Sequence, residues 1–303
     1  SHVHVYSLGK EEGENKFKYL YRFYRYFLHI FFIVRVDYVF FHMGEIYNVL
    51  AAPFFLIRKL FHTKFYWWKT HGLINRLGRI ALFFTDIVLT AGSKSFPINT
   101  NKLHVVGHAI DTDRFAFAEV ADQKIPALAV VVGRITPIKK IEVAIDCVSI
   151  LKQKRIPFML EIVGTDTHEA YRKSLETQCH DMDLASEILF VGSFTQEQLV
   201  VKYHEATFML HPAIQAGFDK VVLEAMACGV IPLTSIPSFE PVLSRFSLFV
   251  EAEDANGYAV RIEELLIDKE RLASLRQQLR EIVVHEHSLA TLSQRIFGVN
   301  NLI

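Results

Sequence analysis

The sequence predicts an α/β protein built from two doubly wound parallel-sheet domains. Its short β-branched runs are apolar throughout rather than alternating, and stretches with helical periodicity separate them. Strands that are apolar on both faces are typical of parallel sheets, which helices cover on both sides. A chain of 303 residues is long enough for two such domains.

In the first half, the strand candidates are rich in Val, Ile and aromatic residues. They are residues 3–8, 37–43, 64–70, 86–92 and 102–108. Residues 16–34, between the first two of these, predict a helix with an aromatic face and a basic stripe that contains Lys18, Arg22, Arg25 and His29. The first predicted domain spans residues 1–115.

The second half repeats the pattern, with strand candidates at residues 127–134, 158–164, 187–192, 207–212, 230–235 and 247–252. Residues 138–154 carry one apolar face at helical spacing and predict a helix. Residues 111–126 lack periodicity and indicate a linker. The second predicted domain therefore begins at residue 116 and continues to residue 285.

Bulk composition excludes several classes of protein. The 33 basic and 33 acidic residues balance, which argues against a nucleic-acid partner.

The chain has an odd number of cysteines, and they lack C-x-x-C spacing: Cys147, Cys179 and Cys228. This pattern favours a reducing compartment and hence the cytoplasm. The longest apolar run, residues 26–41, is interrupted by charge and is shorter than the roughly 20 residues of a membrane-spanning helix. The scattered histidines predict no metal site.

The first candidate site follows the strand in "VVVGRITPIKK". Gly133 permits close backbone approach, and Arg134 and Lys139 provide cations near the start of the next helix. Such residues at the carboxyl end of a parallel strand suit a phosphate group. Spacing alone leaves open a strand end with two solvated cations.

The second candidate site lies in "HPAIQAGFDKVVLEAMACGVIPLTS". Gly217 and Phe218 predict a turn, a helix begins near Asp219 or Lys220, and Glu224 follows about one turn later among apolar residues. A carboxylate in a mostly buried helix requires a partner, and a ligand hydroxyl at the helix N-terminus is one. The alternative is an acid on a solvated helix face.

Together these segments resemble glycosyltransferase family 4, whose members are retaining enzymes with the GT-B fold. "GRITPIKK" and "GFDKVVLEAMACGVIPLTS" resemble its donor-side motifs, and "DYVFFHMGEIYNVLAAPF", "WWKTHG" and "KLHVVGHAIDTDRF" resemble its acceptor-side domain. The resemblance covers nearly the whole chain. It implies two Rossmann-like domains with a cleft between them, and a last helix, 286–303, that crosses back to the first domain.

The resemblance also implies roles for individual residues. Arg134 and Lys139 would hold the donor diphosphate, and Glu224 would bind the ribose hydroxyls. His71 would approach the transferred sugar from the acceptor-side domain. The remaining donor contacts would come from Gly133, Gly164, Phe194, Gly217, Phe218, Asp219 and the amides of Lys220 and Val221.

The implied reaction transfers a hexosyl unit from a nucleotide-diphosphate sugar to a glycan or a lipid-linked acceptor during polysaccharide biosynthesis. In the family's proposed front-face substitution, the leaving phosphate takes the acceptor proton. Preorganised donors in a dry site stabilise the departing diphosphate, so neither a protein nucleophile, a metal nor a cofactor is expected.

Two departures from the family pattern keep a second function open. Ala216 stands where the first glutamate of the family's Glu-x7-Glu signature would contact the donor sugar. The segment "AGFDKVVLEAMA" resembles a branch of the family that has a small residue at this position. This resemblance implies that Asp219 shares the sugar contact. The chain also starts near the third strand of the family's first domain, after the usual first strand, loop and helix. The alternatives are a truncated or non-catalytic relative that binds nucleotide sugar or a partner without turnover, and an isomerase or phosphorylase on the same scaffold.

The helix at residues 16–34 has two interpretations as well. Its basic stripe beside aromatic residues favours docking on an anionic membrane, where a lipid-linked acceptor would lie. It is equally consistent with a core helix whose cations reach solvent. The first interpretation predicts a cytoplasmic protein in peripheral contact with the inner face of the membrane.

Overall fold

The computed structural model describes residues 15–70, 74–92, 95–118, 126–214 and 219–298. These residues form two compact units. The first contains the chain up to residue 90 together with 96–105, and the second contains 91–95 and the chain from residue 106 onward. Residues 106–115, which the sequence analysis placed in the first domain, therefore group with the second unit.

The first unit is a four-stranded parallel sheet with helices between its strands. Its elements are α1 (Lys16–His29), a π-helical turn (Ile30–Val34), β1 (Tyr38–His42), α2 (Glu45–Leu50), a 3-10 turn (Ala52–Phe54), α3 (Ile57–Leu60), β2 (Lys64–Trp68), α4 (Arg76–Phe83), β3 (Ile87–Thr90) and β4 (Leu103–Val105). The strand order is β1-β2-β3-β4. The predicted strand at residues 3–8 lies outside the described residues.

Helix α1 has a buried face and an exposed apolar face. Asn15 caps it by accepting a 3.0 Å hydrogen bond from the Phe17 amide. Phe23, Phe27 and Phe31 pack into the core of the first unit. On the other side, Phe17 is 78%, Tyr21 67%, Leu28 48% and Phe32 49% exposed. We call these last four residues the outer face of α1.

The second unit contains a five-stranded parallel sheet covered by helices. Its elements are β5 (Ala127–Val132), a 3-10 turn (Pro137–Lys139), α5 (Ile141–Gln153), β6 (Phe158–Val163), α6 (Glu169–Asp181), β7 (Ile188–Gly192), α7 (Gln196–Glu205), β8 (Phe208–His211), α8 (Lys220–Ala227), β9 (Ile231–Thr234), α9 (Glu240–Leu243), a 3-10 turn (Ser244–Phe246), α10 (Ala255–Ile267), α11 (Lys269–His287) and α12 (Leu289–Gly298).

Three boundaries differ from the sequence prediction. Helix α5 begins at Ile141 rather than at residue 138, because Lys140 adopts a left-handed backbone with φ of 50° that separates it from the preceding 3-10 turn. Strand β4 ends before Gly107, which has a φ of +83°. The segment at 247–252 does not continue as a strand; Phe249 forms only an isolated bridge with Thr234.

The strand order β7-β6-β5-β8-β9 places β5 in the middle of the second sheet. The chain runs outward from β5 through β6 and β7, then returns to the other side of β5 as β8 and β9. The order therefore reverses between β5 and β8, where doubly wound sheets bind ligands at the strands' carboxyl ends. Among the described helices of both units, none has the length and hydrophobicity needed to span a bilayer.

Candidate functional site at the switch point of the second sheet

Two glycines bring the backbones after β5 and β6 into close contact. Gly133 has a φ of +142°, a conformation that disfavours any side chain. A Cβ atom at Gly164 would lie only 1.7 Å from the Gly133 carbonyl oxygen. Both positions, directly after the strand ends Val132 and Val163, thus require glycine.

Lys139 enters the site from the 3-10 turn after β5. The Ile214 amide donates a 3.0 Å hydrogen bond to the Ile138 carbonyl, so this turn is fastened to the loop that follows β8. The Lys139 ammonium lies 2.5 Å from Asp219 Oδ2, and both side chains are mostly buried. Lys139 of the first candidate site and Asp219 of the second therefore lie in contact.

His211, at the carboxyl end of β8, completes this cluster. It is 2% exposed, and its Nε2 lies 3.1 Å from Asp219 Oδ2. Its Nδ1 lies 3.3 Å from the Thr234 hydroxyl. The sequence analysis treated His211 as one of several scattered histidines. The signal that could have identified it is a polar residue inside an otherwise apolar strand, since a buried imidazole needs partners.

The charges of the cluster are set by these contacts. Burial alone would raise the pKa of Asp219, but the hydrogen bond from His211 and the charge and hydrogen bond of Lys139 outweigh it and leave this pKa well below its ordinary value. Burial lowers the pKa of His211, against the opposing effect of Asp219. Asp219 is consequently ionised and His211 is neutral at physiological pH.

Glu224 lies one turn into α8, as predicted, and is half-buried. Burial, reinforced by the negative charge of Asp219, raises its pKa to about 7 although Lys220 opposes the shift. Among the described residues, none forms a hydrogen bond or an ion pair with this carboxylate. A ligand hydroxyl at this position would supply the missing donor.

The first turn of α8 supplies backbone donors beside these side chains. Asp219 is the N-cap residue, and the amides of Lys220 and Val221 belong to the turn in which N–H groups lack an intrahelical acceptor. Such a terminus favours anions. Lys139 and the helix terminus together form an electropositive position, which Asp219 partly neutralises.

His108 faces the same helix terminus from the segment that precedes β5. Burial, together with the charges of Lys220 and His287, lowers the pKa of His108 to about 4 against the opposing effect of Asp219. The segment is held by the last helices: the Ile110 amide donates to the His287 carbonyl at 2.9 Å, and Leu289 donates back to Ile110 at 3.2 Å. His108 is thus a second histidine that the sequence analysis did not connect with the site.

The remaining predicted residues divide into two groups. Arg134 follows Gly133 after β5 and has an exposed side chain, while Phe194 is half-buried and packs against the core after β7. The other group lies outside the described residues: His71, Gly217 and Phe218, with Ala216 beside them. Among the described residues, no group of three or more His, Cys, Asp or Glu side chains could hold a metal ion.

Comparison with solved structures assigns the fold. A glycosyltransferase from Rickettsia africae superposes with a TM-score of 0.76 at 16% identity, covering 96% of this chain and 83% of that one. Anabaena Alr3699/HepE, solved in complex with UDP, gives a TM-score of 0.72 at 12% identity over 93% of this chain and 82% of that one. The two parallel-sheet units are thus those of the GT-B fold.

The family follows from the sequence itself. The model for glycosyl transferases group 1 matches residues 112–282, which is more than half of the chain and includes every described residue of the switch-point cluster except His108. The chain belongs to this family. The resemblance stated from the motifs is confirmed.

Two curated relatives match part of the chain. The chain is 24% identical over 177 residues to the O-antigen chain mannosyltransferase RfbU of Salmonella typhimurium, which covers 57% of this chain and 47% of that protein. It is 26% identical over 232 residues to the putative colanic acid biosynthesis glycosyltransferase WcaL of the same organism, covering 73% and 56%. The chain spans about half the length of these relatives.

Proposed function

We propose that this protein is a retaining glycosyltransferase that moves a hexosyl unit from a nucleotide-diphosphate sugar to a glycan or a lipid-linked acceptor. One observation carries the proposal: Lys139, the N-terminus of α8 and Glu224 lie together at the switch point of the sheet that the family model matches. A cation and free amides suit a diphosphate, and an unpaired carboxylate one turn away suits a ribose.

The donor would be held in the following way. Arg134 and Lys139 bind the diphosphate, assisted by the amides of Lys220 and Val221. Glu224 accepts hydrogen bonds from the ribose hydroxyls, which satisfies a carboxylate that no described residue contacts. Gly164 and Phe194 border the base. Since Anabaena Alr3699/HepE was solved with UDP, UDP-sugars are the first donors to test.

The chemistry we propose needs no protein nucleophile and no metal. As the sugar leaves, negative charge develops on the diphosphate, and Arg134 and Lys139 stabilise it within a preorganised site. The departing phosphate accepts the proton of the acceptor hydroxyl in a front-face substitution, which retains the anomeric configuration. We keep for His71 the role of contacting the transferred sugar.

We also propose peripheral contact with the inner face of an anionic membrane through α1. The outer face of α1 presents four apolar side chains to solvent, beside the exposed cations Lys18 and Arg25. Residues 16–36 contain five Lys or Arg and no acidic residue. An apolar surface beside exposed cations fits anionic lipid, where a lipid-linked acceptor would be reached.

The activity is tested by incubating the full chain with a panel of nucleotide sugars and following release of the nucleoside diphosphate. We expect release from one nucleotide sugar, accelerated by a glycan or lipid-linked acceptor and unaffected by a chelator. Nucleotide binding without release from any donor would instead support the non-catalytic alternative, in which the site binds nucleotide sugar without turnover.

A further inference from the structure

A mostly buried polar contact of the second unit joins His211 to Asp219. The imidazole is almost fully buried at the end of β8, and Nε2 lies 3.1 Å from Asp219 Oδ2. The other ring nitrogen lies 3.3 Å from the hydroxyl of Thr234, the last residue of the neighbouring strand β9. With its proton on Nε2, the neutral ring donates to Asp219. The Thr234 hydroxyl donates to the His211 backbone carbonyl at 3.1 Å, which holds the two strand ends together beside the ring.

Asp219 also contacts Lys139. The same oxygen, Oδ2, lies 2.5 Å from the Lys139 ammonium, which is itself 3.5 Å from His211 Nε2. The stem of the lysine lies close to Gly133, where a Cβ atom would be only 3.1 Å from Lys139 Cε. The tip of the lysine is held by Asp219.

Without a second partner, the Asp219 carboxylate at the N-cap of α8 could adopt several rotamers. Each rotamer would orient the Lys139 ammonium differently. His211 selects one of them because its ring is fixed by the two strands on which it and Thr234 lie. The Thr234 hydroxyl is anchored in turn, since it accepts a 3.2 Å hydrogen bond from the Ile236 amide. The sheet therefore fixes the His211 ring, the ring orients the Asp219 carboxylate, and the carboxylate orients the Lys139 ammonium.

We propose that His211 is a positioning residue that orients Lys139 through Asp219 toward the diphosphate of the donor. This inference rests on the proposed function, because it assigns His211 to the same donor site. His211 does not itself contact the donor. Its removal should therefore weaken binding only while Asp219 is present.

The test compares two neutral substitutions of His211. In His211→Gln the longer side chain can place an amide N–H where Nε2 stands, whereas the shorter amide of His211→Asn cannot reach Asp219. Calorimetric titration of the full chain with UDP should show at least about tenfold weaker binding for His211→Asn and less than about threefold for His211→Gln, as expected for a hydrogen bond to a charged group. Equal losses in the two variants would overturn the proposal.

A second comparison separates positioning from a merely structural role. In the Asp219→Ala background, adding His211→Asn should change the affinity for UDP by less than about twofold, since non-additivity is the signature of residues that act through one another. A full tenfold loss in that background would show that His211 acts independently. If His211→Asn does not fold, a folded His211→Gln that has lost affinity still contradicts the proposal.

The orientation of Lys139 can also be measured without any nucleotide. We expect the acetylation rate of the Lys139 amine, followed by mass spectrometry of the ligand-free chain, to rise in His211→Asn and Asp219→Ala and to stay at the wild-type level in His211→Gln. Should the wild-type chain bind no nucleotide, the proposed function would fail while this result still decides the positioning role. An unchanged acetylation rate in His211→Asn refutes it.

Discussion

Lys139 and Asp219 form an ion pair with 2.5 Å between Nζ and Oδ2, and this pair joins the loop after β5 to the start of α8. The residue that we expect to bind the donor diphosphate is therefore paired with a carboxylate. A diphosphate must replace or supplement Asp219 as the partner of Lys139. The pair keeps a buried cation compensated until the donor arrives.

The depressed pKa of Asp219 predicts an acid-sensitive stability. A carboxyl group whose pKa is lower in the folded than in the unfolded chain stabilises the fold above its unfolded pKa, and this contribution is lost as the pH falls through the folded value. Urea unfolding between neutral pH and about pH 3 should show a smaller decline for Asp219→Asn than for the wild type. Parallel curves for the two proteins would contradict the assigned charge state.

The raised pKa of Glu224 predicts that nucleotide affinity depends on pH. Ribose hydroxyls donate hydrogen bonds to the ionised carboxylate, so binding should tighten as the pH rises through about 7, where Glu224 loses its proton. Calorimetry from about pH 6 to about pH 8 should show this slope in the wild type and its absence in Glu224→Gln. Glu176→Gln, which changes a half-exposed carboxylate on α6, serves as the control and should keep the slope.

The contact between Gly164 and Gly133 predicts that no residue larger than glycine fits at position 164. In Gly164→Ala the new methyl carbon would overlap the Gly133 carbonyl oxygen, so the backbone at the switch point must move. We expect the free energy of unfolding to fall by more than about 3 kcal/mol, measured by urea denaturation. Gly298→Ala, where the added carbon meets nothing within 4 Å, should be neutral. A Gly164→Ala protein as stable as this control would disprove the close approach.

The outer face of α1 predicts binding to anionic vesicles. Replacing Phe17 and Tyr21 with serine should reduce sedimentation with vesicles that contain phosphatidylglycerol by about tenfold, because each substitution removes exposed apolar area. Ile267→Ser tests specificity, since Ile267 is 78% exposed on α10 in the second unit. Equal sedimentation of wild type and the double variant would remove α1 from the membrane contact.

The sequence was sufficient for the architecture because apolar strands and amphipathic helices are local patterns. The strands from β5 to β9 and the start of α8 at Lys220 follow from such patterns, and Glu224 falls one turn into the helix as predicted. The start of α5 at Ile141 could not be predicted in this way. It depends on the left-handed backbone of Lys140, and a lysine seldom adopts that conformation.

The cluster around Asp219 could not be predicted in the same way. Lys139 is 72 residues from His211 and 80 from Asp219 along the chain, and the adjacency of β5 and β8 brings it to them. The sequence analysis assigned Asp219 to the donor sugar; in the structure Asp219 pairs with Lys139 and His211, and the sugar contact stays a prediction. His108 likewise acquires its place from α11 and α12, which hold its segment.

The central claim is that the switch point of the second sheet binds a nucleoside diphosphate. Its most direct test is calorimetric titration of the full chain and of Arg134→Ala and Lys139→Ala with UDP and other nucleoside diphosphates. Lys173→Ala, which removes an exposed lysine of α6, is the control. We predict saturable binding of one nucleotide that is retained in the control and weakened at least about tenfold in each site variant. Unchanged affinity in both site variants would contradict the claim.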